Sequence, residues 1–126
     1  NKFLRYVDDN RFEDSHFYST VHSQNQRKND IKIEQELAWI GDAVLGLFAR
    51  NWILEKEKKM DAEMFTRMTS NNFLNSLGNP TKVEAKIGLI FNNEGLEKAF
   101  SYIEKSILPL FLKQEKKRIR QAGGKR

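Results

Sequence analysis

The chain contains no cysteine, which excludes a disulfide framework and any thiolate metal site, makes zinc a poor candidate and suits a reducing compartment. Its two histidines, His16 and His22, are too isolated to suggest an imidazole metal site. His22 is therefore read as a packed, hydrogen-bonded structural side chain. Ser19, Thr20 and Ser23 have neither a neighbouring acid nor a nucleophile-elbow motif, so serine hydrolase chemistry is excluded. No apolar run approaches bilayer-crossing length, and the first residues lack the basic-then-apolar pattern of a secretory signal. These absences predict a protein with no membrane partner, in the cytoplasm or, after removal of a transit peptide, in an organellar matrix. The absence of an initiator Met fits such a processed start. No internal repeat is visible and no segment reads as a strand, so the expected fold class is all-α.

With 126 residues the chain is long enough for one domain with a real core. Its net charge of +5 is unevenly placed. Residues 113–126 carry seven basic side chains and one acid, Glu115, for a net +6, which leaves −1 for residues 1–112. Gly123 and Gly124 sit in the same stretch. The expected organisation is a helical domain over 1–112 and a basic flexible tail over 113–126, suited either to holding phosphate backbones without reading sequence or simply to solubility.

The stretch that organises the rest is residues 36–54, ELAWIGDAVLGLFARNWIL. Leu37, Ile40, Val44, Leu47, Phe48 and Ile53 recur at the three-and-four spacing of one buried helical face. Asp42 interrupts this apolar helix, and a carboxylate within a core helix is unfavourable unless compensated. Gly41, Ala43 and Gly46 are small enough to let a second helix approach, and residues 81–91, TKVEAKIGLIF, offer Ala85 and Gly88 as the matching surface with Glu84 as the one acid. Such a contact brings Asp42 and Glu84 together. Two facing carboxylates repel unless a proton or cation lies between them, and oxygen ligands favour a hard ion such as Mg2+ or Mn2+.

The remaining segments supply a frame. Short helices are expected around Phe3 and Phe12, and residues 24–30, QNQRKND, read as a polar loop or helix entrance. A charged exit at 55–59 precedes a helix capped by Asp61 and running through Met64, Phe65, Met68, Phe73, Leu74 and Leu77 to Gly78. Asn79 and Pro80 start the helix that bears Glu84. Residues 92–95, NNEG, read as a turn, and a last amphipathic helix runs from Leu96 through Leu110 with a kink at Pro109.

Four stretches in order carry a family resemblance. LAWIGDAVLGL at 37–47 resembles the signature helix of the ribonuclease III family, and VEAKIGLIF at 83–91 resembles its second acidic motif. Thr20-Val21-His22-Ser23 is similar to the family's Thr-His-X-Ser segment, and Phe65-Thr66-Arg67-Met68 to the segment after the signature helix. The resemblance implies a ribonuclease III-type helical bundle, a homodimer, and hydrolysis of phosphodiester bonds in double-stranded or structured RNA. Asp42 and Glu84 are its implied catalytic metal ligands, with Mg2+ or Mn2+ as cofactor. Dimeric enzymes of the family have two further acids, at places where this chain has Ala38 and Thr81, and often a Glu where it has Gln35. Gln35 and Thr81 are thus candidates for the shell around the ion, and the thinned acid set resembles that of the compact mini-ribonuclease III branch. Lys113, Lys116, Lys117, Arg118 and Arg120 are the candidate RNA-binding residues. The contrasting expectation is a ribonuclease III-like protein that binds RNA, or sits in a ribosome, without cutting. A plainer one is an all-α dimerisation module.

Overall fold

The computed structural model describes residues 23–124. The expectations for Phe3, Phe12, His16, His22, Ser19 and Thr20 lie outside the described residues, as do Lys125 and Arg126.

Helix α1 (Ser23–Glu57) is far longer than its apolar periodicity. The segment QNQRKNDIKIEQ lacks Pro and Gly and is rich in Gln, Arg, Lys and Glu, so the polar entrance continues the helix instead of looping. The helix ends where Lys58 turns left-handed, at φ 61°, and its N–H donates to the Leu54 carbonyl at 3.0 Å. α2 (Ala62–Thr69) starts at Asp61, whose carboxylate accepts from the Met64 N–H at 2.9 Å, as expected. The expected single helix to Gly78 is instead divided at Ser70. That residue is extended, and its hydroxyl accepts from the Phe73 N–H at 3.1 Å, capping a separate α3 (Asn71–Asn75).

Asn79 caps α4 (Pro80–Glu94), with its side-chain oxygen accepting from the Lys82 N–H at 3.1 Å. The turn expected at 92–95 shrinks to Gly95 alone, whose φ of 95° reverses the chain into α5 (Leu96–Ser106). Pro109 lies in the first turn of a new helix, α6 (Leu108–Gly124), so the expected kink is a break at Ile107. α6 also carries the stretch expected to be a flexible tail: residues 113–124 are helical. All described elements are helices, so the fold is all-α.

α1 and α4 form the most extensive contact. An ideal Cβ on Gly41 lies 1.7 Å from the Glu84 carbonyl oxygen, and one on Gly88 lies 2.0 Å from that of Leu37. The two backbones therefore touch where neither helix has a side chain. Lys82 pairs with Glu34 at 2.9 Å near one end and Gly88 meets Gly41 further along, so the helices run in the same direction. Ala38, Ala85, Ile33 and Leu37 bury together on one side of this crossing. On the other side Leu45, Phe48, Ile87, Ile103 and Phe111 centre the main core. Edge-to-face ring pairs tie α1 to the C-terminal helices, Phe48 to Phe100 at 5.3 Å and Trp52 to Phe111 at 6.1 Å.

Three small or apolar residues depart from the expected face. Leu47 is exposed, Ala43 points outward, and Gly46 faces Phe65 and Arg50 and not α4. α1 is also long and apolar enough, by length and composition, to cross a bilayer, contrary to the reading of the sequence; half of its most apolar window is buried inside the protein, as in a core helix.

The glycine contact yields a direct test. Gly41→Ala is expected to destabilise the fold by more than about 3 kcal/mol, because overpacking against backbone outweighs the roughly 1 kcal/mol gain in helix propensity. Gly46→Ala, whose Cβ meets the end of the Arg50 side chain at 3.0 Å and the Phe65 ring at ordinary contact distance, 3.8 Å, is expected to change stability by less than about 1 kcal/mol. Urea unfolding of both variants checks the contrast.

Candidate carboxylate site and basic helix

The backbone contact places the two acids. Asp42 follows Gly41, and the carbonyl against Gly41 is that of Glu84 itself. The side chains project from adjacent helices close enough for the Asp42 carboxylate to act on that of Glu84. Asp42 is exposed and Glu84 is half-buried. Burial pushes the Glu84 carboxyl up to about 7, helped by the hydrogen bond its protonated form makes to Asp42 and by the Asp42 charge. No ion pair among the described residues involves either acid; the basic side chains in pairs are Arg67, with Glu115, and Lys82, with Glu34. The expected convergence of Asp42 and Glu84 is therefore present in the fold.

The other expected members are not brought into this contact. Gln35 lies two turns before Asp42 on α1 and is exposed. Thr81 lies one turn before Glu84, half-buried in the first turn of α4. Among the described residues no hydrogen bond joins either to the carboxylates, and no group of three or more metal-ligating side chains forms. Ala38, one turn before Asp42, is buried with Ala85 and Leu37, so an apolar contact continues where a larger acid set would stand. One residue beside the pair escaped the sequence reading. Trp39 is 78% exposed, three positions before Asp42, and its signal was its place off the 37-40-44-48 register.

The five candidate RNA-binding residues divide by face. Lys113, Lys116, Lys117 and Arg120 recur at three-and-four spacing along α6 and are exposed. Lys113, Lys117 and Arg120 line one shallow groove with Leu110 and Gln114. Arg118 lines a different cleft, against Glu63, Thr66 and Arg67 of α2. Glu115 turns inward and accepts from the Arg67 Nε at 2.9 Å and Nη2 at 3.0 Å, a two-point ion pair that joins α6 to α2.

No known protein family, curated protein or solved structure matches the chain.

The Glu84 shift sets a pH dependence. Its folded value lies above the ordinary 4.5, so its contribution to stability is full below about 4.5 and is lost as pH rises through about 7. Glu84→Gln removes this loss. With chelator present, the urea midpoint of Glu84→Gln is expected to approach that of the wild type at about pH 5 and to exceed it at about pH 8. A constant difference across that interval counts against the carboxylate contact.

Proposed function

We propose that this chain is a metal-dependent endoribonuclease of the ribonuclease III type, hydrolysing double-stranded or structured RNA in RNA processing. One observation carries the reading: Asp42 and Glu84 meet across the Gly41–Gly88 contact with no basic partner among the described residues. Their donor set is oxygen only, and their mutual repulsion when both are ionised is what a divalent cation relieves. The residues thus fit Mg2+ or Mn2+, with Asp42 and Glu84 holding it. When bound, such an ion polarises a phosphodiester and lowers the pKa of water.

The chain's own side chains have separable tasks. Glu84 must release its proton before it can bind a cation, so its raised pKa couples affinity for the ion to pH. Asp42, exposed beside it, presents a carboxylate to the face that a phosphodiester approaches. Thr81, one turn before Glu84, is the nearer candidate to orient water at the edge of the pair, whereas Gln35 stands about 10 Å along the helix from Asp42. The exposed Trp39, Leu47 and Leu54 form a strip on α1 next to Asp42, which supports the homodimer that the resemblance implies.

A second reading, a non-catalytic ribonuclease III-like RNA-binding or ribosome-associated protein, is favoured by the two-acid set and the buried Ala38. Two measurements divide the readings. Purified protein is expected to cut duplex RNA with Mg2+ or Mn2+, and Asp42→Asn to reduce cutting to background. Mn2+ is expected to raise the melting temperature of the wild type but not of Glu84→Gln. An ion-dependent shift without cutting supports the second reading; undiminished cutting by Asp42→Asn excludes the role given to that residue.

A further inference from the structure

Helix α6 has more to offer than net charge. Residues 113, 116, 117 and 120 fall within an arc of about 100° and a length of about 10 Å at 3.6 residues per turn and 1.5 Å rise. All four are cationic and exposed. The one acid in the segment, Glu115, is held on the inner side by Arg67. That ion pair is the last tertiary contact along the helix axis before residues 116–123, all exposed, and together with Phe111 in the core and the Gln114–Ser76 hydrogen bond it sets which way the helix is turned. A row of fixed cations with no acid among them complements closely spaced phosphates along a polyanion. An anionic bilayer would call for a broad apolar face beside the charges, whereas the large apolar side chains exposed on this stretch are Leu112 and Ile119 alone.

We infer that α6 presents a rigid track for the phosphate backbone of duplex RNA, formed by Lys113, Lys116, Lys117 and Arg120, from which Arg118 is excluded. The choice of RNA over other nucleic acid rests on the proposed function, but the holding of phosphates requires neither Asp42 nor Glu84.

The test uses the full chain and a short fluorescein-labelled RNA duplex in EDTA, so that binding is read by anisotropy without cleavage, over a series of salt concentrations. Replacing all four track residues by Gln is expected to weaken binding at least about tenfold at low salt and to flatten the log–log salt slope by about 3. Arg118→Gln is expected to leave the slope within about 0.3 of the wild type, whereas Lys116→Ala alone flattens it by about 0.9. Moving one charge off the track, Lys116→Ala with Ala122→Lys, keeps net charge and is expected to weaken binding as much as Lys116→Ala alone. Circular dichroism confirms that each variant keeps its helix.

An unchanged slope in the fourfold variant overturns the track, as does an equal loss from Arg118→Gln or full rescue by the relocated lysine. Loss of binding to phosphatidylserine vesicles with RNA binding intact overturns it too. Cleavage is measured separately on the same proteins with Mg2+. Duplex binding through the track without cutting sustains this inference and removes only the catalytic reading.

Discussion

The contact between Gly41 and Gly88 is the constraint on which the rest depends. Two helices seldom bring backbone against backbone, because a side chain on either normally keeps them 8–10 Å apart. Here each glycine faces a carbonyl of the other helix. The position of Glu84 relative to Asp42 is thereby fixed by main chain, which cannot rotate away, and not by side-chain packing. The apolar residues on both flanks, Ala38 with Ala85 and Leu45 with Ile87, then close around the crossing. The desolvation that raises the Glu84 pKa follows from that closure, and the Asp42 charge adds to it.

Much of this arrangement was legible in the residues themselves. Small residues beside an acid in two apolar segments pointed to a close helix pair with facing carboxylates, and that is how Asp42 and Glu84 lie. Asp61, Asn79 and Pro80 announced helix starts through elementary capping chemistry. What failed did so for local reasons. Ser70 ends one helix and starts another, yet a serine within an unbroken apolar period gives little warning of a cap. Ile107 becomes a break because Pro109 has no N–H to continue the ladder and fits better in the first turn of a new helix. Leu47 is exposed although it lies on the apolar period, because α1 has neighbours on only part of its circumference, whereas the exposure of Trp39 matches its place off that period.

The basic end of the chain shows a different failure. Composition correctly located the charge but read Gly123 and Gly124 as a sign of disorder, whereas Lys, Arg, Gln and Glu before them are good helix formers. Helicity converts an average charge into directions. The five cations cease to be equivalent once Arg118 is turned toward Glu63 and Thr66 and the others share an outward face.

The ion pair between Arg67 and Glu115 therefore has a consequence for how the sequence tolerates change. With Phe111 in the core it fixes the azimuth of α6, and every position beyond Glu115 inherits that phase. One amino acid inserted between Glu115 and Lys116 rotates all that follows by about 100° while leaving composition, charge and helical content nearly untouched. Length in this segment thus matters more to the outward face than the choice between Lys and Arg: exchanges of Lys for Arg leave the geometry intact, and a one-residue insertion does not.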